Sequence, residues 1–185
     1  MEVNTKVNLS GLTLDNPVIP ASGTFGFGKE YVDFYDINIL GSISIKGTTV
    51  QRRKGNPQPR IAECYSGLIN SVGLENPGMD NVIQKELKDL EKIYRKPVIA
   101  NISGFSVEEY VTLAREMDKV DNVGIIEVNI SCPNVDHGGL AFGTNADNVR
   151  ELTKKIKEVT TKPVYMKLSP NVTDIKEIAR AAEEG

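Results

Sequence analysis

The sequence predicts an α/β fold assembled from repeated βα units, and three observations carry that prediction. From residue 97 onward the short β-rich runs Pro97–Asn101, Ile125–Asn129 and Pro163–Lys167 alternate with segments of helical periodicity. The strand candidates end in polar residues, Ser22, Lys46, Asn101, Asn129 and Lys167, each after an apolar stretch. With 185 residues, 39% of them hydrophobic and 25% charged, the chain has the composition of a single globular domain, 1–185.

Taken in order, Pro17 to Ser22 and Ser42 to Lys46 read as the first two strands, with a helix near Lys29 to Tyr35 between them. The stretch 47–73, rich in proline and glycine, reads as an elaborated loop over one end of the sheet, and a helix follows from about Asn76 to Tyr94. The next helix opens with Ser106-Val107-Glu108-Glu109, a capping box in which the serine and Glu109 satisfy each other's free backbone donors. Tyr110, Val111, Ala114 and Met117 make its apolar face. Val149, Leu152, Ile156 and Val159 follow a start between Thr144 and Asp147, and Ile175, Ile178, Ala179 and Ala182 follow Thr173. Each face can cover a parallel sheet. Polar strand ends serve as ligand sites both in an eight-stranded βα barrel and in doubly wound sheets, so this pattern leaves both open. A barrel usually takes about 250 residues. Five strand candidates therefore read as part of a longer structure.

Charge and composition exclude several classes. Lys and Arg number 22 against 25 Asp and Glu, for a formal charge of −3. The one dense basic run, Gln51-Arg52-Arg53-Lys54, is too short for a nucleic-acid surface and reads as a solvated loop. Met1-Glu2-Val3-Asn4 does not resemble a secretory leader, and no apolar run approaches the ~20 residues of a membrane span, so a soluble, cytoplasmic protein is expected. The two cysteines, Cys64 and Cys132, form no CxxC pair, and His137 is the one histidine, which argues against disulfide frameworks and zinc. Cys64 is expected to pack inside its loop.

The densest chemistry lies in Asn129-Ile130-Ser131-Cys132-Pro133-Asn134-Val135-Asp136-His137-Gly138-Gly139, which leaves a strand and enters a glycine-rich loop. Pro133 stiffens its start and Gly138-Gly139 loosens its tip, the make-up of a lid over about 131–143. Taken alone, a cysteine here is more often a small buried hydrophobe than a reactive thiol, and a lone loop histidine is more often solvated than catalytic.

Asn-Ile-Ser-Cys-Pro-Asn is similar to the active-site segment of class 1 dihydroorotate dehydrogenases, and five further segments agree in order. Ala21-Ser22-Gly23 resembles that family's first FMN contact, Lys46-Gly47-Thr48-Thr49 its lysine segment, and Gly55-Asn56-Pro57-Gln58-Pro59-Arg60 its characteristic loop. Asn70-Ser71-Val72-Gly73-Leu74-Glu75-Asn76-Pro77-Gly78 resembles the stretch that cradles substrate, and Met166-Lys167-Leu168-Ser169-Pro170-Asn171 the strand that supplies a flavin-contacting lysine.

The resemblance implies a (β/α)8 TIM barrel, of which this chain supplies about the first five βα units. It implies oxidation of dihydroorotate to orotate in pyrimidine biosynthesis, with Cys132 removing the C5 proton and hydride passing from C6 to FMN. Lys46 would bridge substrate and flavin. Substrate would be held by Lys46, Asn70, Ser71, Val72, Gly73, Leu74, Asn129 and Asn134, whose amides can both donate and accept. FMN would be held by Ala21, Ser22, Gly23, Lys46, Gly47, Asn101, Asn129 and Lys167. An unperturbed thiol titrates near ~8.5, so the site would have to lower that value or work faster at high pH.

The membrane-associated class uses serine as base and carries an N-terminal membrane-binding extension, neither of which this sequence resembles. Phe25-Gly26-Phe27-Gly28 and Val135-Asp136-His137-Gly138-Gly139 look most like the NAD-linked subtype, class 1B. That subtype implies a homodimer paired with an electron-transfer subunit that carries FAD and an iron–sulfur cluster. Two other readings stand beside this one: another flavin barrel acting on a pyrimidine ring, of the dihydropyrimidine dehydrogenase or dihydrouridine synthase type, and a non-catalytic half-barrel. Phosphate binding in barrels typically uses loops after strands 7 and 8, so residues 1–185 alone are expected to bind FMN weakly or not at all.

Overall fold

Three parallel strands form the centre of the molecule, β5 (Val98–Ile102), β6 (Val123–Asn129) and β7 (Val164–Lys167), in the order β5-β6-β7. The structure is a computed structural model and describes residues 3–131 and 142–185. Four shorter strands precede these in the chain. β1 (Val7–Leu9) and β2 (Leu12–Leu14) make an antiparallel hairpin turned by Ser10 and Gly11, both at positive φ, and β3 (Ile61–Cys64) pairs with β4 (Gly67–Asn70) in a second hairpin.

The first two expected parallel strands are present as extended chain but not as regular strands. Ile99 N–H donates to the Ile43 carbonyl (2.9 Å), Ile45 N–H to Ile99 (3.0 Å), Thr48 N–H to Asn101 (2.9 Å) and Ser103 N–H to Thr48 (2.8 Å). The segment 43–48 thus runs parallel beside β5, bridged at Ser44–Ile99 and Thr48–Ile102. Outside it, Gly41 N–H donates to Val18 (2.9 Å) and Ser44 N–H to Pro20 (3.3 Å). Pro17 and Pro20 offer no N–H to a ladder, which breaks the regular pattern on this side. Five parallel chain segments therefore lie side by side in sequence order, the start of a barrel wall.

The helices cover one face of that wall. α1 (Met79–Asn81) runs through a π-helical turn (Val82–Glu86) into α2 (Leu87–Ile93), within the expected span of 76–94. α3 (Val107–Asp118), α4 (Ala146–Lys157) and α5 (Ile175–Glu184) follow β5, β6 and β7 in turn. At the start of α3 the Ser106 hydroxyl accepts from Glu109 N–H (3.3 Å), but the Glu109 carboxylate reaches Phe105 N–H (2.7 Å), one residue further back than a closed capping box. Asn145 and Asp174 cap α4 and α5. In α5 the buried face is Ile178 and Ala181, while Ala179 is exposed, so the apolar stripe sits rotated from the predicted one. Between Lys29 and Tyr35 only a 3-10 turn forms, Lys29–Tyr31, entered from Gly28 at φ 80°; Tyr31 is held by stacking on Phe25 at 4.0 Å.

Side-chain alternation divides the sheet. Val98, Ala100, Ile102, Ile126, Val128 and Ile130 join the core under the helices, with Tyr110, Leu113, Ala114 and Met117 of α3 and Val149, Leu152 and Ile156 of α4. The other face carries Ile99, Asn101, Ile125, Glu127, Asn129, Tyr165 and Lys167, the interior of the wall. Register sets Asn101 opposite Glu127 and Glu127 opposite Tyr165, and one step on it sets Asn129 opposite Lys167. The 47–73 loop carries the β3–β4 hairpin, all eight of whose strand residues are exposed. Cys64 is among them, which corrects the expectation that it packs; the hairpin has no layer beneath it among the described residues. No helix of the described residues is long and apolar enough to cross a membrane.

Candidate active site

Polar residues gather at the C-terminal ends of the parallel segments because the apolar alternation stops there. Asn101 ends its alternation one residue before β5 closes and is fully buried, and Asn129, the last residue of β6, is 7% exposed. The Asn129 side-chain oxygen accepts from Ser131 N–H (3.2 Å) and Oγ (3.0 Å), and the Lys167 ammonium donates to the same Ser131 Oγ. Ser131 is thus a relay between two predicted site residues. The Tyr110 hydroxyl fixes the Asn129 carbonyl from the core side at 2.8 Å.

A second cluster lies at the ends of segment 43–48 and β5. A Cβ on Gly47 would stand 2.8 Å from Asn101 Oδ1, 3.5 Å from Ser103 Oγ and 3.5 Å from Leu74 Cδ2. Only a glycine lets the amide come so close. Asn101 Oδ1 and Ser103 Oγ are both buried without a hydrogen-bond partner, a costly state unless a ligand supplies one. The Asn101 amide nitrogen is engaged elsewhere, donating to Glu127 Oε1 at 2.5 Å. The Lys46 ammonium stands 3.8 Å from where a Cβ on Gly23 would be, so the Ala21-Ser22-Gly23 turn and Lys46 are neighbours. That turn is closed by Thr24, whose N–H and hydroxyl both donate to the Ala21 carbonyl, at 3.2 and 2.7 Å.

The stretch Asn70–Leu74 reaches this cluster through its far end. Leu74 lies beside Gly47 and takes a positive φ of 56°, an uncommon conformation for a branched residue and a mark of a constrained loop. Val72 shares with Lys46 a cavity of about 510 Å³ that Arg52, Arg53 and Glu75 also line. Asn70 and Ser71 are exposed on the hairpin side; Ser71 N–H donates to Arg60, and Asn70 Oδ1 accepts from Val72 N–H at 3.5 Å. Gly73, at φ 75°, is buried against the Asn56 side chain.

Asn76 anchors the loop, a role that sequence reasoning missed. Its Oδ1 accepts from Thr49 N–H (3.2 Å) and Gly78 N–H (2.9 Å), and its Nδ2 donates to the Leu74 carbonyl (2.8 Å) and Thr49 Oγ1 (2.9 Å). Arg53 braces the same loop by backbone pairing with Asn76 and by lying 4.6 Å over the Phe105 ring. Ser103, Glu127 and Ser131 were also missed, since nothing in their local sequence marks them. Cys132 and Asn134, with His137 and most of the 131–143 lid, lie outside the described residues. Among the described residues no group of three or more His, Cys, Asp or Glu could hold a metal.

In three dimensions the chain resembles a dihydroorotate dehydrogenase crystallised with ferulenol, from Eimeria tenella, with a TM-score of 0.79 over 98% of this chain and 57% of that one. At 21% identity this likeness shows the fold, a TIM barrel of which the chain forms part. In sequence it is 57% identical over 178 residues to the catalytic subunit of dihydroorotate dehydrogenase B (NAD(+)) of Bacillus cytotoxicus, and 56% identical to that of Bacillus cereus. Each match covers 96% of this chain and 57% of the relative, so the chain spans little more than half the length of these NAD(+)-linked subunits. The family model for dihydroorotate dehydrogenase matches residues 4–185, and the chain belongs to that family.

Proposed function

We propose that the protein to which this chain belongs oxidises dihydroorotate to orotate on FMN, as the catalytic subunit of an NAD-linked, class 1B enzyme. The observation that carries this reading is the pair of orphaned buried oxygens, Asn101 Oδ1 and Ser103 Oγ, which close in on the bare backbone of Gly47 at the strand ends. A flavin fits such a pair, one an acceptor and the other a hydroxyl: it offers an N–H, ribityl hydroxyls and carbonyls, and Lys46, Asn129 and Lys167 add donors at neighbouring strand ends. FMN, when bound, supplies the redox chemistry, accepting the hydride that leaves C6 of the substrate.

The residues of the chain supply placement and proton transfer. Asn101, Gly47, Asn129 and Lys167, with the turn Ala21-Ser22-Gly23, would hold the cofactor. Asn70 to Leu74, Asn129 and Asn134 would hold the pyrimidine, whose alternating carbonyl and N–H groups suit amides. Lys46, beside Gly23 and open to the cavity shared with Val72, would offset negative charge as it builds. The thiolate of Cys132 would take the C5 proton and become the thiol, leaving a C5–C6 double bond in orotate. Support for Cys132 and Asn134 comes from the Asn-Ile-Ser-Cys-Pro-Asn segment alone. The relatives' names, a catalytic subunit linked to NAD(+), support a separate electron-transfer subunit. FAD and an iron–sulfur cluster on that subunit, a homodimer of the catalytic chain and a cytoplasmic setting are proposed from the class 1B resemblance alone.

The deciding experiment mixes full-length protein anaerobically with dihydroorotate, with dihydropyrimidines or with tRNA, and follows the flavin absorbance band. Bleaching by dihydroorotate alone is expected. In Cys132→Ala the flavin should stay bound and stay oxidised; normal bleaching in that variant would remove the cysteine from the mechanism.

A further inference from the structure

We propose that Glu127 is a positioning residue for the cofactor site: its carboxylate sets the orientation of the Asn101 amide, so that the pocket presents a carbonyl acceptor rather than an N–H donor. This deepens the flavin reading above and rests on it. Asn101 and Glu127 are directly paired in register across β5 and β6 and point to the same interior face. Glu127 Oε1 receives two donors, the Asn101 Nδ2 at 2.5 Å and the Ser44 hydroxyl at 3.3 Å, which comes from the next parallel segment. A carboxylate only accepts, so the amide must turn its nitrogen toward Glu127 and its oxygen away.

The oxygen so displayed is the orphan. Asn101 Oδ1 is buried without a partner and stands 2.8 Å from where a Cβ on Gly47 would be, turned toward the backbone at the strand ends. If the amide turned over, an N–H would face the pocket and two acceptors would face each other at Glu127. The carboxylate thus selects ligands with a donor at that point, as an N–H or hydroxyl of a flavin provides. Glu127 does this from below the site, through Asn101, so it positions and does not itself react.

The test uses full-length apoprotein titrated with FMN, read by quenching of flavin fluorescence and by the absorption band of the bound flavin. Asn101→Leu, which removes the acceptor, should weaken FMN about tenfold. Glu127→Gln can keep its Oε1 on both donors and should bind within about threefold of wild type. Glu127→Asp, one methylene short, and Glu127→Met, with no acceptor, should each weaken FMN about fivefold or more and shift the flavin band. Should Glu127→Met fail to fold, the order of Gln above Asp decides, because a role in charge alone would rank them the other way. Wild-type affinity in Glu127→Asp with a weakened Asn101→Leu overturns the positioning role and leaves the flavin site standing. Wild-type affinity in Asn101→Leu overturns both.

Discussion

The Tyr110 hydroxyl donates to the main-chain carbonyl of Asn129 at 2.8 Å, tying the first turn of the helix that follows β5 to the last residue of β6. The ring is completely buried and meets Phe142 edge-on at 5.7 Å, so the tyrosine is both a core residue and a brace for the strand end. Tyr110→Phe keeps the ring and removes this donor from the carbonyl. That should cost about 1–3 kcal/mol of stability and lower the melting temperature of the full-length protein by several degrees, measured by calorimetry. An unchanged melting temperature would show that the bond contributes nothing net.

Gly47→Ala tests the close approach at the strand ends. The added methyl would lie 2.8 Å from Asn101 Oδ1 and 3.5 Å from Ser103 Oγ, nearer to the amide than real contacts allow. Flavin content after purification should fall to a small fraction of wild type, while far-UV circular dichroism stays the same. Full flavin occupancy would mean that the cofactor does not use this space.

Asp118 gives a pH signature far from the site. Its Oδ1 accepts from Thr160 Oγ1 (2.6 Å), Thr161 N–H (2.8 Å) and Lys162 N–H (3.3 Å), and these bonds, the Thr160 hydroxyl first, hold its carboxyl below the ordinary value of 3.8. The stabilisation is therefore fully present above pH 3.8 and is lost as pH falls through the lowered folded-state value. Asp118→Asn can still present an oxygen to the same donors but cannot titrate. Urea midpoints of wild type and variant should differ at pH 7 and converge below pH 3.8. A constant gap across that range would refute the linkage.

A polypeptide limited to residues 1–185 should bind FMN weakly, since a TIM barrel holds flavin phosphate with loops beyond its fifth unit. Titration of that polypeptide beside the full-length protein checks this. A yellow, stoichiometric complex with 1–185 would contradict it.

What the sequence made legible follows from where periodicity is strong. The runs Val98–Asn101 and Ile125–Asn129 and the stripe Val149, Leu152, Ile156 declare their elements, the first two as short β-rich runs and the third as an apolar stripe at helical spacing. Pro17 to Ser22 and Ser42 to Lys46 lie in parallel extended chain but looked more regular than they are, since Pro17 and Pro20 have no N–H to give to a ladder. The β1–β2 hairpin went unread although Val7-Asn8-Leu9-Ser10-Gly11-Leu12 has the alternation and the turn. At the site, Lys46, Asn101, Asn129 and Lys167 stood out as polar ends of apolar runs. Glu127 and Ser131 did not, because their importance comes from cross-strand register, which one chain's local pattern does not encode.

Asn76 has a further property that its place in the chain confers. Its four hydrogen bonds need an amide: an aspartate there would set a second acceptor against the Leu74 carbonyl. Asparagines ordinarily age into aspartates when the nitrogen of the following residue attacks the side-chain carbonyl and closes a ring. Here the following residue is Pro77, whose nitrogen has no hydrogen and is already tertiary, so that route is closed. The anchor of the loop is thereby protected from the commonest chemical clock in proteins.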